Sequence, residues 1–239
     1  MNYLKRLFDF IFSRILFCYQ IIHHICYRCF LFCLSFPLYC RYPRLTILDL
    51  ICLVEECVRF VLFPIRIVLA IFQSNKSSSP IYGTVSYQGL HQLANHLMLT
   101  NYKICDIGSG KGKLLFFYAI VHKCRAIGIE SYPFFIYFHR ALSFLLGLSK
   151  NVTLTYQDIL TSPLPKADVY FIVGLGFESN ILSYLQDALS SLVSTSIIVS
   201  VGVTFPALST YHKQTISLPC SWGFCDTYIY HCIDSTDKA

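Results

Sequence analysis

Asp106-Ile107-Gly108-Ser109-Gly110-Lys111-Gly112 follows directly on Lys103-Ile104-Cys105, and these ten residues carry the reading of the fold. Lys103 to Ile107 is a short apolar run that stops at a glycine cluster, the pattern of a buried strand running into a turn. Glycines at 108, 110 and 112 permit tight backbone curvature and let main-chain N–H groups come close to a ligand. The run from Gly112 to Val121 is predicted to be helical, with the positive end of its dipole over the turn. Strand, glycine turn and helix in this order open an α/β sheet, in which ligands bind beyond the carboxyl ends of the strands.

On either side of this segment the apolar pattern keeps switching between helix and strand. Upstream, Leu90, Leu93, Ala94 and Leu97 stand at helix spacing within residues 86–99. Downstream, strands are predicted at Arg125 to Glu130, Val152 to Tyr156, Val169 to Val173 and Ser196 to Val201, with helices at Phe134 to Leu146 and Ile181 to Val193. Repeated β-α-β order implies a mostly parallel sheet with helices on both faces. Two further strands, Tyr211 to Ser217 and Cys225 to Cys232, are separated only by Leu218-Pro219-Cys220-Ser221-Trp222-Gly223, too short for a helix. The expected architecture is therefore α/β: an open, mostly parallel seven-stranded sheet closed by a C-terminal antiparallel hairpin.

Three nucleotide-binding turns compete for the glycines. A P-loop needs four residues between its glycines and Ser or Thr after the lysine; Gly108 to Gly112 is one residue short, and Leu114 follows Lys113. A dinucleotide turn has its third glycine three residues after the second, and Lys113 stands there. The spacing Asp-x-Gly-x-Gly-x-Gly fits instead the turn that binds S-adenosylmethionine (SAM). Asp106, Gly108, Ser109, Gly110 and Gly112 are accordingly expected to hold the cofactor. Glu130 ends a buried-strand pattern with a single charge, where an ionised carboxylate can accept both ribose hydroxyls. Asp158, followed by Ile159, stands after the third strand, where a side-chain oxygen can receive the adenine amino group.

With these residues in place, positions 82 to 232 resemble the class I SAM-dependent methyltransferase superfamily, Asp106 to Gly112 matching its first motif and Glu130 its second. A narrower likeness is to lysine methyltransferases of this fold, including small membrane-anchored ones. These pair an apolar N-terminal segment with a Tyr-Gly entry motif, a Gly-Ser-Gly turn and a late Phe-Pro element. Tyr82-Gly83-Thr84, Gly108-Ser109-Gly110 and Phe205-Pro206 resemble those elements. The likeness implies SAM as cofactor and transfer of a methyl group to a protein lysine. Two departures matter. Thr84 and Val85 stand where an acidic residue usually follows the entry glycine, and Val173-Gly174-Leu175-Gly176-Phe177 replaces the Asn/Asp-Pro-Pro-Tyr/Phe loop of base and glutamine methyltransferases. The acceptor is thus left open among a protein lysine, a small molecule and a lipid precursor, and a SAM-binding module without chemistry is the remaining alternative. Tyr82, Tyr87 and Phe177 are candidates to line the acceptor channel. No catalytic base is assigned, since the cofactor supplies the electrophile and a lysine need only arrive neutral.

The remainder of the chain differs in character. Of the 239 residues 55% are hydrophobic and only 13% charged. Residues 1 to 75 hold eight Lys/Arg against four Asp/Glu, the rest eleven against nine, so the basic excess belongs chiefly to the N-terminal quarter. A domain so nearly neutral argues against nucleic acid as partner. Residues 1–72 are read as an apolar, basic helical segment, 73–80 as a Ser-rich linker and 81–239 as the catalytic domain. Arg14, Arg28, Arg41, Arg44, Asp49, Glu55 and Glu56 interrupt every stretch long enough to span a bilayer. The segment is expected to lie on the membrane as amphipathic helices or as a shallow hairpin bent near Pro37 and Pro43. A cleaved signal peptide is not expected, because no small-residue site follows the apolar run. The twelve cysteines, seven of them before residue 58, fit a reducing compartment better than a disulfide scaffold. Cys26-Tyr27-Arg28-Cys29 has no second pair, and His91, His96, His122 and His139 lack a ligand-like set, so no metal is expected.

Overall fold

The computed structural model describes residues 2–61, 83–209 and 211–231; Tyr82, residues 62–72 and the linker 73–80 lie outside the described residues. β1 (Lys103–Ile107) runs through the middle of the molecule, and every residue after Lys103 is buried. It pairs in parallel with β2 (Arg125–Glu130) on one side and β4 (Val169–Val173) on the other, setting Asp106 beside Gly128 and Phe171. β3 (Val152–Tyr156) extends the sheet beyond β2, and β5 (Ile197–Val201) beyond β4. β6 (His212–Cys220) and β7 (Gly223–His231) close it as an antiparallel hairpin, giving the order β3-β2-β1-β4-β5-β7-β6. The near-continuous Val, Ile, Tyr and Phe of β4 and β5 follow from burial on both faces.

The C-terminal hairpin is tighter than the sequence suggests. Leu218, Pro219 and Cys220 belong to β6, and the turn is Ser221-Trp222. Proline is tolerated because β6 is the edge strand, where a missing N–H breaks no ladder. That edge is partly covered. Ser86 N–H donates to the Pro219 carbonyl at 2.9 Å, Ser221 N–H to that of Thr84 at 2.7 Å, and Val85 bridges Cys220.

α1 (Asn2–Arg41) and α2 (Pro43–Val61) precede the sheet and pack antiparallel, as the contacts of Arg28 with Glu56 and Tyr39 with Asp49 show. Pro37 sits inside α1 and Pro43 opens α2, where its missing N–H is harmless. α3 (Tyr87–His96), α4 (Lys113–Val121) and α5 (Pro133–Leu145) cover one face of the sheet, and α6 (Ser179–Ser190) the other. α4 is apolar on every side, from Leu114 to Ile120. A helix with no polar face must be enclosed, and here the sheet lies beneath it and α2 over it, with Leu38, Leu45 and Leu48 joining the same core. The outer faces of the hairpin stay apolar and exposed, through Ile22, Ile25 and Phe36 on α1 and Ile47, Leu50 and Val54 on α2. Among the described residues no helix is long and apolar enough to cross a membrane.

Candidate functional site

The glycine turn is wired to the neighbouring strand. Gly108 and Ser109 donate their N–H groups to the Ile129 carbonyl at 2.9 and 3.0 Å, and Gly110 donates to Glu130 Oε2 at 2.8 Å. Gly108, Gly110 and Gly112 all have positive φ, at 76, 52 and 74°, a backbone shape that strains any residue with a Cβ. Glu130 Oε1 accepts from Tyr132 N–H at 2.9 Å. Each carboxylate oxygen carries two lone pairs, so both retain acceptor capacity for a ligand.

Around this turn opens a cleft of about 660 Å³ at the carboxyl ends of the strands, in the range of small-molecule sites. Asp106, Gly108, Ser109, Gly110, Glu130, Asp158, Ile159 and Phe177 all line it, so the structure brings together seven of the eight residues assigned to the cofactor and one of the three assigned to the acceptor. Ser109 Oγ is buried and has no hydrogen-bond partner among the described residues. Asp158 Oδ1 accepts from Leu160 N–H at 3.0 Å, which holds the carboxylate at the cleft rim. Asp106 is 4% exposed, and burial, reinforced by the Glu130 charge, pushes its carboxyl up to about 7.

Two assigned residues stand elsewhere. Gly112 caps α4 and does not line the cleft; a Cβ there would lie 1.5 Å from His139 Nε2, so its glycine serves the packing of the turn on α5. Tyr87 is buried beneath the hairpin, stacked on Phe117 at 5.6 Å, and its hydroxyl donates to Asp49 Oδ1 at 2.8 Å. It borders a smaller polar cavity between the hairpin and the domain, shared with Ser35, Tyr39 and Lys113.

His139, 1% exposed, stacks on Phe116 with ring centroids 4.8 Å apart, and neither ring nitrogen has a protein partner among the described residues. Burial drives its pKa down to about 3. The unfolded chain therefore binds the extra proton between about pH 6.5 and 3, and stability falls as pH drops below 6.5. His139→Leu is expected to remove about 2 to 3 kcal/mol of the loss between pH 6.5 and 4.5. Urea unfolding of both proteins across that range checks it, and parallel curves would contradict it.

Sequence reasoning missed Arg28, Glu56, Thr84, Ser221 and Trp222, which also line the cleft. Trp222 lies on Gly83, whose Cβ would meet its ring at 2.2 Å, so the glycine of Tyr82-Gly83-Thr84 makes room for the indole. The Phe177 ring lies 2.7 Å from where a Gly108 Cβ would be. A lone tryptophan at a hairpin tip was the available signal; Arg28 and Glu56 gave none, because helices remote in sequence supply them.

No family model matches the chain, and no curated protein matches it in sequence. Its fold recurs in solved structures. An RNA methyltransferase from Salinibacter ruber in complex with S-adenosyl-L-homocysteine superposes with a TM-score of 0.50 at 19% identity, covering 61% of this chain and 91% of that one. A tRNA methyltransferase from B. subtilis gives 0.49 at 16% identity, over 62% and 66% of the two chains. A SAM-dependent methyltransferase from Geobacter sulfurreducens, also with S-adenosyl-L-homocysteine, gives 0.43 at 24%, over 53% and 52%. The chain thus spans about half to two thirds of the last two proteins. The likeness is one of fold, which this chain shares with the RNA methyltransferase from Salinibacter ruber.

Proposed function

We propose that this chain is a SAM-dependent methyltransferase that works at a membrane surface and transfers the methyl group to a protein lysine. The observation that carries the cofactor reading is the Gly110 N–H bond to Glu130, which ties the glycine turn and the acid of the second strand into one cleft. SAM supplies an activated methyl group on a cationic sulfur, which leaves positioning as the protein's main task. Glu130 would take the ribose hydroxyls, Asp158 with Ile159 would receive the adenine, and Ser109 Oγ would gain the partner it lacks. Asp106, ionised, would face the cationic amino-acid end. A fall in SAM affinity of up to about tenfold per pH unit is expected below pH 7, because Asp106 must lose its proton to hold a cation. Calorimetric titration between pH 5.5 and 8.5 measures it, and Asp106→Asn should flatten the slope; equal slopes would remove Asp106 from the site.

A lysine acceptor is supported by the walls of the cleft. The Trp222 and Phe177 rings suit an alkylammonium approaching the site, and desolvation beside the cationic sulfur of SAM would favour its neutral, reactive form. Membrane attachment is supported by the exposed apolar faces of α1 and α2. α5 strengthens it, since it exposes Phe134, Tyr137, Phe144 and Leu145, carries Arg140 and has no acidic residue. The same exposed surfaces favour a second reading, a lipid-precursor acceptor reached from the bilayer. Incubation of the chain with methyl-labelled SAM and membranes decides between them: label in a protein band supports the lysine reading, label in the lipid extract the second. Label in neither, with SAM bound, would leave a cofactor-binding module.

A further inference from the structure

The acidic residues of α2 that interrupt the apolar N-terminal segment face the domain. Lys111, the one long side chain within the glycine turn, is 4% exposed and does not line the cleft. Its Nζ lies 2.6 Å from Glu55 Oε2 and 3.0 Å from Glu56 Oε1, both on α2. Two residues on, Lys113 Nζ lies 3.3 Å from Asp49 Oδ1 and 4.1 Å from the centre of the Tyr87 ring. Glu56 reaches on to Arg28 of α1 at 3.4 Å, at the cleft wall. One helix thus grips both cations of the segment that follows β1.

We propose that α2 is part of the cofactor site, with Glu55 and Glu56 acting as positioning residues that hold the turn in its ligand-receiving shape through Lys111. This rests on the cofactor reading above. Three glycines within five residues leave the backbone many alternatives to the observed shape; besides the bonds of Gly108 and Ser109 to the Ile129 carbonyl, two side-chain tethers restrict it, one through Glu130 and one through Lys111 to α2. An ammonium this deeply buried stays only while its charge is matched. With the acids neutralised, Lys111 would turn toward water and carry the flanking residues, Gly110 and Gly112, with it. The hairpin then does more than attach the domain to a surface, since the cofactor's affinity depends on its docking.

The test uses the full chain with the paired substitutions Glu55→Gln and Glu56→Gln, and Glu55→Gln alone as the milder variant. Two quantities are read: SAM affinity by calorimetry and amide hydrogen exchange over residues 108–112, with exchange in β5 and α6 as the control for folding. Expected are a tenfold or greater loss of affinity in the double variant, a smaller loss in the single one, and faster exchange confined to the turn and α2. Unchanged exchange at 108–112 overturns the proposal. So does unchanged affinity in a chain whose wild type binds SAM. A wild-type chain that binds no SAM overturns the cofactor reading, whereas the exchange comparison still reports whether the acids hold the turn.

Discussion

Gly112→Ala is expected to lower the stability of the chain by about 2 to 5 kcal/mol. Two effects add. The position has φ of 74°, and a left-handed backbone disfavours an L side chain by about 1 to 2 kcal/mol. The added methyl would also sit 1.5 Å from His139 Nε2, and that ring cannot retreat freely because it is buried against Phe116. Overpacking of this kind typically adds about 1 to 3 kcal/mol. Denaturant unfolding measures the sum. In a His139→Ala background the steric part disappears, so the same substitution should then cost only about 1 to 2 kcal/mol. An equal cost in both backgrounds would contradict the contact between the turn and α5.

Glu130→Ala should weaken SAM binding by at least about 100-fold while leaving the sheet folded. The carboxylate accepts from Gly110 N–H, shaping the turn, and from Tyr132 N–H, shaping the chain that leaves β2. Hydrogen bonds to a charged acceptor contribute about 1.5 to 3 kcal/mol each. Losing those to two ribose hydroxyls together with the turn's support accounts for the expected loss. Glu130→Gln should fall between, since one amide oxygen can still accept from the turn or the ligand but not replace both carboxylate oxygens. Titration with SAM, alongside a thermal melt to confirm folding, checks both. A Glu130→Ala chain that binds as tightly as wild type would move the ribose site elsewhere.

These two substitutions mark where a local reading succeeds and where it fails. Glu130 was legible because its chemistry is local: an apolar strand with one charge at its tip must expose that charge at the end of the sheet. Gly112 was legible as a glycine but not in its purpose. The neighbour that forbids a side chain there is His139, brought in by α5 from another part of the chain. Tyr87 shows the same effect in reverse. It is a candidate to line the acceptor channel, yet the hairpin covers it and Asp49 takes its hydroxyl. Sequence pattern ends β6 at Ser217, whereas the strand runs on through Pro219 to Cys220, because turn composition carries no sign that β6 is an edge strand.

Local pattern was enough for the strand and helix order, the closing hairpin and the cluster of Asp106, Gly108, Gly110, Glu130 and Asp158 at the strand tips. Apolar period and glycine spacing are properties of a few successive residues, and a parallel sheet places consecutive strand ends on one edge. Tertiary structure alone decided what surrounds that cluster. Lys111 and Glu55 are far apart in the chain, as are Gly83 and Trp222, and only close packing shows which charge neutralises which and which glycine makes room for which ring. A run of residues records the shape a backbone can take, whereas the partner of a buried charge is chosen by the geometry of the whole molecule.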